Sequence, residues 1–196
     1  QKQYEKYKDY IKVFFKDYYN NYIDSWQKNV SLEKNMEGVY KGIELRGKID
    51  KIEYLDFSKV NIIDYKTGKF DSKKKAKFKR PSTEPKNAES PTYEEQYGGD
   101  YWRQAVFYKI LLETNKDLNK QGWNLAHVVF DFVEPNAKDG TFHIEPVEIS
   151  IEDINIVKHQ IEDAWQNIQA LNFEGCKKED CSFCNGEMEK LTEDEI

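Results

Sequence analysis

The feature that most constrains this chain is a pair of strand-like segments, each carrying an acid: Gly47-Lys48-Ile49-Asp50 and Ile62-Ile63-Asp64-Tyr65-Lys66-Thr67-Gly68. Residues 42–54 and 60–66 are rich in β-branched and aromatic side chains, and Leu55-Asp56-Phe57-Ser58-Lys59 between them has the length of a hairpin connection. A hairpin centred on Phe57 sets Tyr54 opposite Val60, Ile52 opposite Ile62, and Asp50 opposite Asp64. Directly opposed carboxylates, with Cβ atoms roughly 5 Å apart, destabilise a sheet unless a cation lies between them. Side chains alternate along a strand, so Lys66 shares a face with Asp64, and two acids and an amine converge. Carboxylate oxygens suit Mg²⁺ or Mn²⁺, which keep several waters and take up phosphate oxygens. A retained water is then a candidate nucleophile, with Lys66 placed to orient it or to stabilise charge building on phosphorus. Asp-x-Lys also occurs at turns and caps; the opposed register, the lysine on the same face and the Thr67-Gly68 turn together favour the metal reading.

Gly47-Lys48-Ile49-Asp50-Lys51-Ile52-Glu53 followed by Asp64-Tyr65-Lys66-Thr67-Gly68 resembles the PD-(D/E)xK nuclease superfamily, in particular its RecB-like branch found at the C-termini of bacterial helicase–nucleases. The resemblance continues at Gln104-Ala105-Val106-Phe107-Tyr108, which matches that branch's Gln-x-x-x-Tyr motif on an apolar helical segment. Four residues apart, Gln104 and Tyr108 are neighbours on one helix face, a spacing that an amphipathic helix with two polar rim residues also produces. The resemblance implies that Asp50 and Asp64 bind metal, that the Tyr65 carbonyl adds a ligand, that Lys66 is catalytic, and that Gln104 and Tyr108 support the active site and substrate strand. It further implies an α/β fold of restriction-endonuclease type, a central mixed sheet flanked by helices. Such a domain hydrolyses DNA phosphodiesters with Mg²⁺ or Mn²⁺ and serves a helicase in recombination or repair. No phosphate-cradling Gly-x-x-x-x-Gly-Lys-Ser/Thr motif is present, so the motor is expected elsewhere in the parent protein.

The chain departs from the family pattern at both ends. RecB-like nucleases place a further metal ligand, His or Glu, on a helix upstream of the Gly-x-x-Asp strand, whereas His127, His143 and His159 all lie downstream. Glu5, Asp9, Asp17 and Asp24 are the acids on the first helix, and nothing selects one of them; Glu33, just before the first strand, matches a family glutamate and reads as structural. Beginning at Gln1, without an initiator Met and inside a helical pattern, the chain is expected to be an excised fragment that lacks the first motif helix. Some RecB-like nucleases hold an iron–sulfur cluster through one upstream and three C-terminal cysteines. Here Cys176, Cys181 and Cys184 are present with a different spacing and no upstream partner. Plain thiols, an iron–sulfur cluster and a zinc site remain open for them.

A net charge of −6 is unusual for a nucleic-acid binder, but its distribution matters more than its total. Lys66, Lys69, Lys73, Lys74, Lys75, Lys77, Lys79, Arg80 and Lys86 cluster with few acids between them, while residues 176–196 form a cysteine-bearing acidic tail. Lys69, Lys73, Lys74 and Lys75 are therefore candidate supports for a DNA backbone, although such a run also suits a solvated loop. The patterns give a helix over 3–28, strands over 38–54 and 60–67, a long basic loop over 71–99, and a helix over 100–114. Strands over 125–134 and 141–149 follow, then a helix to about 172 opened by a capping-box pairing of Ser150 with Asp153. One domain over 1–196 is expected, with no span apolar enough for a bilayer and the cytoplasm as its compartment. Two rival readings are a non-catalytic nuclease-like fold that binds DNA or braces the helicase, and a metal-stabilised interaction module organised by the cysteines.

Overall fold

The computed structural model describes residues 2–89, 91–136 and 138–172. Five strands form one mixed sheet in the order β1-β2-β3-β4-β5: Val30–Tyr40, Ile43–Tyr54, Lys59–Lys69, Asn124–Glu134 and His143–Val147. All neighbours are antiparallel except β3 and β4, which run parallel. That parallel pair requires a crossover, and residues 70–123 between them supply it. They include a 3-10 turn at Lys74–Phe78, α2 at Tyr93–Tyr97, α3 at Asp100–Thr114 and α4 at Lys116–Lys120. Helix α1, Lys2–Tyr22, precedes the sheet, and α5, Ile151–Gln169, follows it.

Two layers of side chains flank the sheet. The even residues Val60, Ile62 and Asp64 of β3 are buried toward α3, whose Trp102, Ala105, Val106, Ile110 and Leu111 are fully covered. On the other side Phe14 and Tyr18 of α1 pack with Val133, Tyr65 and Phe142. Trp102, Phe130, Phe132, Ile52 and Ile62 are among the largest side chains with essentially no exposed surface, so burial of aromatic and aliphatic area holds the layers together.

The β2–β3 register is the expected one, with Tyr54 opposite Val60 and Ile52 opposite Ile62 across a turn in which Phe57 and Ser58 take positive φ. The regular ladder stops at Lys51 opposite Ile63, one step before the two acids. The single strand expected over 38–54 is instead a hairpin, because Lys41 and Gly42 (φ 48° and 81°) make a turn of the primed type that matches strand twist. The first helix ends at Tyr22, not 28: the Ser25 hydroxyl and the Trp26 amide bond back to the Tyr22 carbonyl, and the Trp26 ring folds onto Tyr18 and Tyr19. Glu33 lies within β1 rather than before it, in a left-handed conformation that interrupts the β1–β2 ladder between Leu32 and Lys34. Ser150 and Asp153 form the expected reciprocal cap of α5.

The chain divides into two units, 1–160 and 161–196. Of the second, the described residues carry the end of α5, closed by the Ala170 amide on the Gln166 carbonyl and by Asn172 on Asn167. Among the described residues no helix is long and apolar enough to cross a membrane.

Candidate active site

Where the β2–β3 ladder stops, the strands separate around two carboxylates. Asp50 does not pair with Asp64 through the backbone; its Oδ2 accepts the Tyr65 N–H at 2.9 Å. Its other oxygen has no hydrogen-bond partner among the described residues. Burial pushes the Asp50 carboxyl above its ordinary range; the Tyr65 N–H opposes that shift, and the nearby charges of Asp64 and Glu33 add to it. Glu33 itself is tied to Lys48 by an ion pair.

Asp64 is 4% exposed, and both of its oxygens have partners. Its Oδ1 accepts the Gln104 side-chain amide at 2.7 Å and the Tyr108 hydroxyl at 2.8 Å, while Oδ2 meets the Lys66 ammonium at 2.7 Å. Lys66 also donates to the Gln104 carbonyl oxygen at 2.8 Å, and Gln104 Nε2 lies 2.7 Å from the Tyr108 oxygen. One amide thus bridges acid and amine, fixing both. Burial and the Asp64 charge push the Tyr108 phenol well above its usual range, so it remains a donor to Asp64. The Lys66 ammonium lies over the rings of Tyr101 and Phe130, at 5.0 and 5.1 Å from their centroids.

Tyr65 alternates to the opposite face, among Phe14, Tyr18 and Val133. There Asp131 accepts the Tyr18 hydroxyl, and Lys51 is paired with Glu53 at 2.7 Å and lies over the Trp26 ring. Thr67 and Gly68, expected to turn, lie within β3 at an irregularity of the β3–β4 register, where Gly68, with φ 86°, donates its N–H to Glu134 at 2.8 Å.

The structure therefore brings Asp50, Asp64, Tyr65, Lys66, Gln104 and Tyr108 to one place. It sorts the basic candidates: Lys74 lies over the Phe132 ring of β4, Lys69 reaches the Tyr10 ring of α1, and Lys73 and Lys75 are exposed. Of the upstream acids, Asp17 and Asp24 are exposed, and the side chains of Glu5 and Asp9 lie outside the described residues, as do Cys176, Cys181 and Cys184. Sequence reasoning missed Tyr101, whose only signal was its place three residues before Gln104 on the same helical stripe. It also left out Lys77 and Arg80, which gave no signal beyond membership of the basic run.

Among the described residues no three His, Cys, Asp or Glu side chains gather as a metal group. The pair that is present still fits a small divalent cation: two hard oxygen donors lie close together, one retains an open oxygen, and burial, with the Asp64 charge adding to it, raises the Asp50 pKa. Mg²⁺ commonly binds through one or two carboxylates and fills its remaining positions with water and phosphate.

A mixed five-stranded sheet flanked by helices, with acid, acid and lysine at the end of a strand pair, defines a nuclease-like α/β domain of restriction-endonuclease type. The chain belongs to the PD-(D/E)XK nuclease superfamily, whose family model matches residues 4–187. Among solved structures it is similar to a protein from Eubacterium rectale that carries the provisional name of an exonuclease, at 14% identity and a TM-score of 0.47, over 85% of this chain and 55% of that one. It is also similar to the protein SSO0001, at 15% identity and a TM-score of 0.41, over 80% of this chain and 57% of that one. The chain thus spans little more than half the length of either. No curated protein matches it.

Proposed function

We propose that this domain hydrolyses DNA phosphodiesters with Mg²⁺ or Mn²⁺, as the nuclease module of a helicase-containing cytoplasmic protein acting in recombination or repair. The observation that carries the chemistry is the closed network of Asp64, Lys66, Gln104 and Tyr108 beside Asp50. The helicase setting rests on the RecB-like motifs alone.

Asp50 and Asp64 would hold the cation, with the Tyr65 carbonyl as a further ligand. When bound, that cation polarises a phosphodiester oxygen and lowers the pKa of water. Lys66 carries the remaining chemistry in this chain: its ammonium orients the attacking water and stabilises the negative charge that builds on phosphorus as the new P–O bond forms and the old one breaks. The attacking water loses its proton to bulk solvent, and the leaving oxygen takes one up from solvent or from Lys66, which solvent then reprotonates. Gln104 keeps Lys66 and Asp64 in register, and Tyr108 holds the second lone pair of Asp64 Oδ1, fixing which way its carboxylate faces.

The test is incubation of end-labelled single- and double-stranded DNA with the chain in Mg²⁺ or Mn²⁺, beside an EDTA control and Asp64→Asn. Cleavage that needs metal and Asp64 supports the reading. A second reading, a nuclease-like fold that binds DNA without cutting it, draws on the absence of a third acid among the described residues. It predicts DNA binding with no cleavage and no Mn²⁺ uptake.

A further inference from the structure

Three ammonium groups lie over rings of one aromatic cluster, and one of them, Lys66, reaches Asp64. Lys66 lies over Tyr101 and Phe130, Lys77 lies over Tyr101 at 5.1 Å, and Lys74 lies over Phe132 at 4.9 Å. The rings form one cluster: Tyr101 stacks on Phe130 at 5.2 Å, and Phe78 wedges against Tyr101 and Phe130 at 5.0 and 5.4 Å. Lys66 is ion-paired with Asp64. Lys74 and Lys77 are both half-buried, and neither has an ion-pair partner among the described residues. Burial pulls the Lys74 ammonium below its ordinary pKa against the more distant carboxylates of Asp71 and Glu134, and the charge of Lys77 pulls the same way. Two partly desolvated like charges side by side are unfavourable alone and are relieved by a bound anion. A compact ammonium suits a phosphate oxygen as a point-charge partner.

The backbone that carries them is fastened. Arg80 makes a fork to Asp153, Nη2 to Oδ2 at 2.8 Å and Nε to Oδ1 at 2.7 Å. Asp153 is completely buried and also accepts the Trp102 indole at 3.3 Å and the Ser150 amide and hydroxyl at 2.7 and 2.8 Å. The Gly99 amide bonds to the Lys79 carbonyl at 2.9 Å. A Cβ on Gly99 would stand 2.3 Å from the Lys77 carbonyl oxygen, so the approach of this turn to the start of α3 requires glycine.

We infer that Lys74 and Lys77 form a phosphate subsite for the nucleic-acid strand next to the bond cut at Asp64 and Lys66, and that the Arg80–Asp153 fork sets their position. This rests on the nuclease reading above and adds a substrate contact to it. The two lysines bind a backbone phosphate without reading sequence; Arg80 is a positioning residue, its own charge committed to Asp153.

The test is the affinity for a fluorescein-labelled oligonucleotide, by anisotropy in EDTA, across a series of NaCl concentrations. The proteins are wild type, K74Q/K77Q, R80Q, the triple variant and K73Q/K75Q, each with its Tm. Each phosphate contact contributes about 0.7–0.9 to the slope of log K against log salt. K74Q/K77Q is expected to lower the slope magnitude by about 1.4–1.8, R80Q by a similar amount, the triple by no more than K74Q/K77Q alone, and K73Q/K75Q by clearly less. A K74Q/K77Q slope equal to wild type or to the K73Q/K75Q control overturns the subsite. Additive loss in the triple, or an unchanged slope in R80Q, overturns the fastening. A wild type that binds and cleaves DNA while K74Q/K77Q is unchanged overturns this inference and leaves the nuclease reading standing; a wild type that binds no DNA overturns both.

Discussion

The carboxylate of Asp50 accepts the backbone N–H of Tyr65 at 2.9 Å, at the step where regular pairing between β2 and β3 ends. A side chain thus takes over from the ladder at the point where backbone pairing ends. The same bond satisfies an amide that would otherwise be left without a partner between Asp64 and Lys66. Sheet register, strand divergence and acid placement are one feature.

Tyr108→Phe removes the hydroxyl donated to Asp64 and keeps the ring in its buried place. Loss of such an outer support typically costs about 10–100-fold in metal affinity or activity. The expected outcome is a raised Mn²⁺ half-saturation and a slower cleavage rate with little change in Tm, read by Mn²⁺ titration and thermal melting. Gln104→Ala should cost more, because it frees Lys66 as well as Asp64.

Gly99→Ala puts a methyl group against the Lys77 carbonyl at 2.3 Å, and that neighbour is backbone, which cannot rotate away. Overpacking of this kind costs about 1–3 kcal/mol. A Tm lowered by several degrees, together with weaker DNA binding, is expected; a variant that melts with wild type would show that the turn can back away from α3 at no cost.

Asp131 gives a pH dependence on the sheet face opposite the metal pair. Burial raises its carboxyl pKa in the folded state, opposed by the Tyr18 hydroxyl and the Lys51 charge and reinforced by Glu53; Tyr22 and Tyr65 are the other titratable groups that face this cluster. Its Oδ1 is buried without a hydrogen-bond partner among the described residues. A carboxyl raised in the folded state contributes stability that is complete below the unfolded pKa and is lost as pH rises through the folded one. Asp131→Asn removes that decline and keeps an acceptor for Tyr18. The variant should equal or exceed wild type in Tm by a few degrees near neutrality, with the gap closing toward pH 4, as melting across that range will show.

Much of the site was legible because its information is local. Strand alternation and hairpin register group Asp50, Asp64 and Lys66, whereas helical spacing makes Gln104 and Tyr108 neighbours of each other and only the resemblance to RecB-like nucleases attaches that pair to the acids. The bond from Asp50 to Tyr65 was not legible, since alternation treats strands as regular and says nothing of where a ladder ends. Arg80 and Asp153 are 73 residues apart and meet only through tertiary packing; in the sequence one was part of a charge run and the other a helix cap. Lys41 with Gly42 shows the limit from the other side: a continuous run of strand-forming residues hid a turn that depends on two positive φ angles.

The most direct test of the central claim is metal-dependent cleavage by wild type and Asp64→Asn at matched fold, with Mn²⁺ binding measured on both. The account predicts DNA cleavage in Mg²⁺ or Mn²⁺ that EDTA abolishes. Asp64→Asn should lose roughly 10²–10³-fold or more in rate, as for removal of a directly acting electrostatic group, and should bind Mn²⁺ more weakly with its Tm retained. Wild type that is folded, binds no Mn²⁺ and leaves the DNA intact would contradict it.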